Sequence, residues 1–168
     1  MRRAHGFCLV LLACAGKDPY NPGASLGTFH AKAALTDASC GGSPPNPWEF
    51  DVKLSQDKSN LYWVQGGLPV QGTLNAAGHF TLSQAGTSQI SAADKAHGAC
   101  LVTRTDTLAG DLADGGIANG FSGTLAYAFA PTNGADCAAQ IGTAFNALPC
   151  AIRYDLTAIR TIAPDAGK

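Results

Sequence analysis

Trp48, Phe50, Val52 and Leu54 alternate with Glu49, Asp51, Lys53 and Ser55, one set apolar and the other charged or hydroxylated. A period of two sends such sets to opposite faces of an extended strand, one toward a core and one toward water. The pattern recurs along the chain. Phe29, Ala31, Ala33 and Leu35 alternate with Thr28, His30, Lys32 and Thr36. Gln56-Asp57-Lys58-Ser59 turns the chain into Leu61-Tyr62-Trp63-Val64, and Gly66-Gly67 reverses it into Val70-Gln71-Gly72-Thr73-Leu74. Asn75-Ala76-Ala77-Gly78 then reads as a hairpin loop leading to Phe80 and Leu82, with glycine where a positive φ is expected. Cys100, Val102, Leu108, Gly110 and Leu112 share one parity, as do Phe121, Gly123, Leu125, Tyr127 and Phe129, and Ile152, Tyr154, Leu156 and Ala158. "VQGTL" and "FSGTL" each hold a glycine inside a strand pattern, which marks a bend or the close crossing of a neighbour. Two segments break the period. Residues 85–99 are small and polar and read as a loop. Between 136 and 148, Cys137, Ile141, Phe145 and Leu148 fall near helical spacing after an aspartate that can cap, which predicts a short helix.

These runs amount to eight strands, nearly all joined to their sequence neighbours. Eight antiparallel strands in up-and-down order can close on themselves and remove both edges. The expected fold is therefore all-β: an eight-stranded antiparallel meander forming a closed or nearly closed barrel, with a two-layer β-sandwich as the alternative. Composition agrees with short strands and turns, since Gly numbers 20 and charged residues are only 14%. A hydrophobic share of 46% suffices for a core and excludes global disorder. Lys plus Arg is 11 and Asp plus Glu is 12, so a net charge of -1 gives no electrostatic case for nucleic acid or for an anionic membrane surface.

The first residues have the form of an export signal: basic Met1-Arg2-Arg3, then an apolar run over residues 7–13 that is too short for a spanning helix. Leu11-Leu12-Ala13-Cys14 follows, and it resembles the lipobox of bacterial lipoproteins. The resemblance implies cleavage before Cys14, a diacylglyceryl group on its sulfur and acylation of its amine. Two or three chains are what stable membrane attachment requires. Residues 15–25 are polar and hold two prolines and two glycines, the composition of a flexible tether. The expected organisation is a signal peptide over 1–13, anchor and tether over 14–25, one β domain over 26–163 and a tail over 164–168.

Six cysteines are present. With Cys8 in the signal and Cys14 lipidated, Cys40, Cys100, Cys137 and Cys150 remain, an even number that in an exported domain favours disulfides. In an alternating meander all four fall at one end. Cys137–Cys150, which closes a single loop, is the favoured pair, with Cys40–Cys100 as the remainder. A zinc site is the competing reading, and neither CxxC nor HxxxH spacing supports it.

Catalytic constellations are not evident. His5, His30, His79 and His97 lack ligand spacing, and His30 and His79 sit on polar strand faces. Asp111 and Asp114-Gly115 lack the alternating oxygens of a calcium loop. Gly120-Phe121-Ser122-Gly123 lies inside a strand and is not a nucleophile elbow. Glu49 and Asp51 share a solvent face, where nothing splits their pKa values. Arg104 and Asp106 have the parity of Val102 and Leu108. Such a pair marks a bulge or strand end more readily than an ion pair reaching into a ligand cavity. Trp48, Trp63, Tyr62, Phe50 and Phe80 are core candidates, with a ligand cavity as the sharper option. No enzyme activity and no cofactor are expected.

Two resemblances bear on setting. "CAGKDPYNPGASLGTFHAKAAL", "PWEFDVKLS", "LYWVQGG" and "LPCAIRYDLTAIR" resemble uncharacterised lipoproteins of myxobacteria and related deltaproteobacteria, which implies the envelope of a Gram-negative bacterium, with the outer membrane as the expected place of the anchor. Gly27-Thr28-Phe29 at the first strand and Arg160 at the end of the last resemble lipocalins, with phenylalanine at the tryptophan's place. The leading functional expectation is a membrane-anchored, non-catalytic structural or interaction module. A small barrel carrying an apolar ligand is the alternative. Besides the membrane at Cys14, any partner is expected at the end bearing the long loops 37–47, 85–99 and 131–149.

Overall fold

The computed structural model describes residues 18–112 and 119–162. The strands are β1 (Ala24–Ala38), β2 (Trp48–Asp57), β3 (Asn60–Val64), β4 (Val70–Leu74), β5 (His79–Ser91), β6 (Cys100–Leu112), β7 (Gly120–Pro131) and β8 (Cys150–Ile162). Each pairs antiparallel with its sequence neighbours, and β8 returns to β1, so the sheet closes into an eight-stranded up-and-down barrel rather than a sandwich. The signal segment, Cys14, the start of the tether, residues 113–118 and the tail 164–168 lie outside the described residues. β1 begins two residues inside the segment assigned to the tether. Just before it, the buried Ser55 hydroxyl donates to the Pro22 carbonyl at 2.6 Å, so this stretch lies against β2.

The two ends differ. At the end where β1 starts, short turns join β2 to β3 and β4 to β5, and three phenylalanines fill the bore. Phe29 and Phe80 each pack on Phe121, with ring centroids 5.6 and 5.3 Å apart. The Arg160 guanidinium lies over the Phe29 ring at 5.5 Å. Above this floor, Leu54, Leu61, Leu82, Leu108, Leu125 and Leu156 are buried in one cluster. Each contributes about 2 kcal/mol by leaving water. The loops 39–47, 65–69, 92–99 and 132–149 gather at the other end, the mouth.

The disulfides correct the expected pairing. Cys40 is bonded to Cys150 and Cys100 to Cys137. Barrel closure is the reason: Ala38 pairs with Ile152, so the end of β1 stands beside the start of β8. Likewise Val102 pairs with Pro131, and the chain leaving β7 meets the start of β6. Sequence proximity of Cys137 and Cys150 is overruled by the two ladders. The four cysteines do share one end, as the meander implied.

Two other expectations change. Residues 85–91 are not loop: β5 runs on to Ser91, pairing with β6. Its upper half is exposed on both faces, so it has no core side to impose alternation. The helix expected over 136–148 shrinks to one 3-10 turn, Ala138–Gln140. Cys137, Phe145 and Leu148 instead pack with Cys100, Val102 and Phe129 in a small second cluster beneath the long loop, while Ile141 is exposed.

Candidate binding site at the mouth of the barrel

β3 and β4 have five residues each, between a ten-residue β2 and a thirteen-residue β5. Gly66, at φ +82°, and Pro69, which lacks an amide donor, end these strands early. β3 pairs with β2 only from Lys53 onward, and β4 pairs with β5 only up to Leu82. The wall is therefore low on one side, and the inward side chains of the tall strands opposite open to solvent there.

Inward side chains from β2 and β3 beside this opening and from β7 and β8 across it form a row of rings. Trp63 stacks near Phe50 at 6.3 Å and 27°, Phe50 meets Trp48 at 4.5 Å, and Trp48 meets Tyr154 at 5.3 Å and Tyr127 at 6.2 Å. The Arg104 guanidinium then lies over the Tyr127 ring at 4.6 Å and toward Phe129 at 6.0 Å, a cation–π contact. Trp48, Phe50, Trp63 and Tyr127 are half-buried, and Tyr154 is buried. Of the five rings expected in the core, Phe80 lies in the closed-end floor and Trp48, Phe50 and Trp63 pack on the core at the mouth, whereas Tyr62 joins neither because its parity on β3 is opposite to that of Leu61 and Trp63.

Arg104 and Asp106 are a two-point ion pair, Nε to Oδ1 at 2.6 Å and Nη2 to Oδ2 at 2.9 Å. Gln84 Nε2 also donates to Asp106 Oδ2, at 3.3 Å. The bulge and strand-end readings fail: both ladders of β6 run in unbroken register past residues 104–106. Asp106 is mostly covered and Arg104 half exposed, with side-chain exposures of 19% and 51%. Burial first, and then the Asp106 charge, pushes the Tyr127 phenol up to about 12, so it stays a protonated donor. Burial pushes Tyr154 the same way.

Three hollows meet at Arg104. The innermost, ≈ 90 Å³, is lined by Trp63, Val70, Leu82, Leu108, Leu125 and Tyr127 among others. A polar hollow of ≈ 430 Å³ runs along β5 between Gln65, Gln84, Ser88 and the ion pair. An apolar one of ≈ 430 Å³ lies between Pro44, Pro45, Trp48, Tyr127, Phe129 and Tyr154. Gln65 and Gln84 were missed from sequence. Gln84 continues the inward parity of Phe80 and Leu82, the signal from which it could have been found.

The other singled-out residues lie elsewhere. His30, Glu49 and Asp51 project outward from β1 and β2. His30 Nδ1 is 2.9 Å from Asp51 Oδ1, and Lys32 is 3.2 Å from Glu49. The Asp51 bond raises the His30 pKa above 6.5, and the Lys32 bond lowers that of Glu49. His79 contacts Asp111 at the closed end, and His97 lies 3.7 Å from Asp136 among the mouth loops. Among the described residues no cluster of three or more His, Cys, Asp or Glu could hold a metal ion. No family model matches the chain, and comparison with curated proteins and with solved structures finds no match either.

Proposed function

We propose that this chain is a non-catalytic interaction module of a Gram-negative outer membrane, anchored through acylated Cys14 and meeting its partner at the mouth of the barrel. The observation that carries the proposal is the low wall over β3 and β4, which opens an aromatic row and a half-exposed arginine to solvent on a rigid, disulfide-bonded scaffold. Loops and openings held by a rigid frame are where binding residues concentrate. β1 starts at the closed end, so a tether over residues 14–23 enters there and leaves the mouth facing away from the membrane. An apolar carrier needs an empty bore. Here the bore below the mouth is filled by leucines and phenylalanines, and the innermost hollow is ≈ 90 Å³, about the room of three waters.

The anchor has its own test. Replacing Cys14 by Ser removes the sulfur that would take the diacylglyceryl group. On Triton X-114 partition the wild-type protein is expected in the detergent phase and the Ser variant in the aqueous phase. A Ser variant that stays with detergent would overturn the anchor.

A further inference from the structure

We propose that the mouth binds a neutral saccharide, an inference that rests on the mouth being the contact end and adds the class of ligand it takes. The first argument is charge. Arg104 is the cation at the meeting point of all three hollows, and Asp106 already holds it at two points, 2.6 and 2.9 Å. The pair is neutral as a unit. A carboxylate or phosphate brought to the free edge of the guanidinium would also be set beside the Asp106 charge, at a cost that a hydroxyl does not meet.

The second argument is the pattern of donors and acceptors. Gln65, Gln84, Asp106 and Arg104 line one hollow of ≈ 430 Å³. The two amides both donate and accept, the carboxylate accepts, and the guanidinium donates. Neighbouring hydroxyls, each able to donate and accept, match such a set. A hydrocarbon chain would leave the Gln65 amide, the Gln84 carbonyl oxygen and the free edge of the guanidinium without a partner from the ligand.

The third argument is the rings. On the other side of Arg104, Trp48, Tyr127 and Tyr154 line the apolar hollow, also ≈ 430 Å³. A pyranose has a flat face of C–H groups that packs against aromatic rings and a rim of hydroxyls that does not. Both hollows fall in the size range of small-ligand sites. An apolar face next to a hydroxyl-matching one, across a charge-neutral pair, is the complement of a sugar unit and of neither an acyl chain nor an anion.

The chain holds two tryptophans, Trp48 and Trp63, and both stand at the mouth, so their fluorescence reports on this site directly. The full-length lipoprotein, in a detergent without a sugar headgroup, is titrated with tetramers of glucose (α- and β-linked), mannose, galactose and N-acetylglucosamine. Tetragalacturonate and 1-dodecanol are the anionic and the neutral apolar comparators. At least one neutral tetramer is expected to give a saturable change with half-saturation at about 1 mM or tighter. Asp106→Asn and Gln84→Ala should each weaken it about tenfold or more. Lys53→Ala, on the outer face of β2, should leave it unchanged. Co-sedimentation with isolated cell-wall sacculi, competed by the bound tetramer, assigns the sugar to a fixed envelope glycan. Tetramer binding without co-sedimentation assigns it to free oligosaccharide, and both results support the class. No neutral tetramer reaching half-saturation at about 1 mM or tighter, or a stronger response to 1-dodecanol or tetragalacturonate, overturns the proposal. If crosslinks to a partner still form at the mouth, the saccharide assignment alone falls; crosslinks only at the closed end remove the mouth reading with it.

Discussion

Gly123→Ala is expected to cost the barrel roughly 3 kcal/mol or more and to lower its melting temperature by about 10 °C. Gly110 and Gly123 face each other across the β6/β7 ladder. A Cβ at position 123 would stand 2.1 Å from the Ala109 carbonyl oxygen and 2.6 Å from the Gly110 Cα. These are backbone atoms of the ladder itself, so no side-chain rotation relieves the clash. Two strands of a closed barrel would have to separate, and closure transmits that strain to their neighbours. Gly86→Ala is the matched control. A Cβ there meets nothing within 4 Å, so the substitution should be neutral or stabilise by up to about 1 kcal/mol through loss of unfolded-chain freedom. Thermal melts of the two variants with disulfides intact decide the matter. A Gly123→Ala protein melting with the wild type would contradict the close β6/β7 approach.

The second large effect concerns the crosslinks. Digestion of the unreduced protein should release Cys40 joined to Cys150 and Cys100 joined to Cys137. A Cys137–Cys150 peptide would contradict the barrel's closure of β1 on β8. The bonds span separations of 110 and 37 residues. In the chain-entropy account, removing the longer one by Cys40→Ser with Cys150→Ser costs about 4–5 kcal/mol. Removing the shorter by Cys100→Ser with Cys137→Ser costs about 3–4 kcal/mol. The shorter also supports the mouth: Cys100 and Cys137 form the centre of the cluster on which Phe129, Phe145 and Leu148 pack. Denaturant titration of the paired double variants measures both. Equal stability of either with the wild type would contradict its assigned role.

What could be read from the sequence follows from where a core face exists. Strands buried on one side, such as Trp48 to Leu54 and Phe121 to Phe129, announce themselves by alternation, and eight of them in meander order imply closure. The glycines of "VQGTL" and "FSGTL" were also legible. A Cβ on Gly72 would lie 1.9 Å from the Thr81 carbonyl, so a neighbouring strand does cross close by. The upper half of β5 was not legible, because a strand wet on both faces has no period to show. The disulfide pairing failed for a different reason. The correct partners are set by which strands adjoin after closure, a long-range fact that loop spacing does not carry. Arg104 and Asp106 were placed on the inward face by parity, but an ion pair there reads as a defect until the low wall beside it is known.

The central claim is that contact happens at the mouth, and site-specific photo-crosslinking in the native envelope tests it most directly. Benzoylphenylalanine in place of Leu68 or Ser88 stands beside the low wall of the mouth, at positions to which no ligand contact is assigned, and in place of His79 or Ser122 it stands near the closed end, all four being exposed positions. Adducts are predicted from the first two positions and not from the second two. Adducts formed only from His79 and Ser122 would show that the barrel meets its partner with the end taken here to face the membrane.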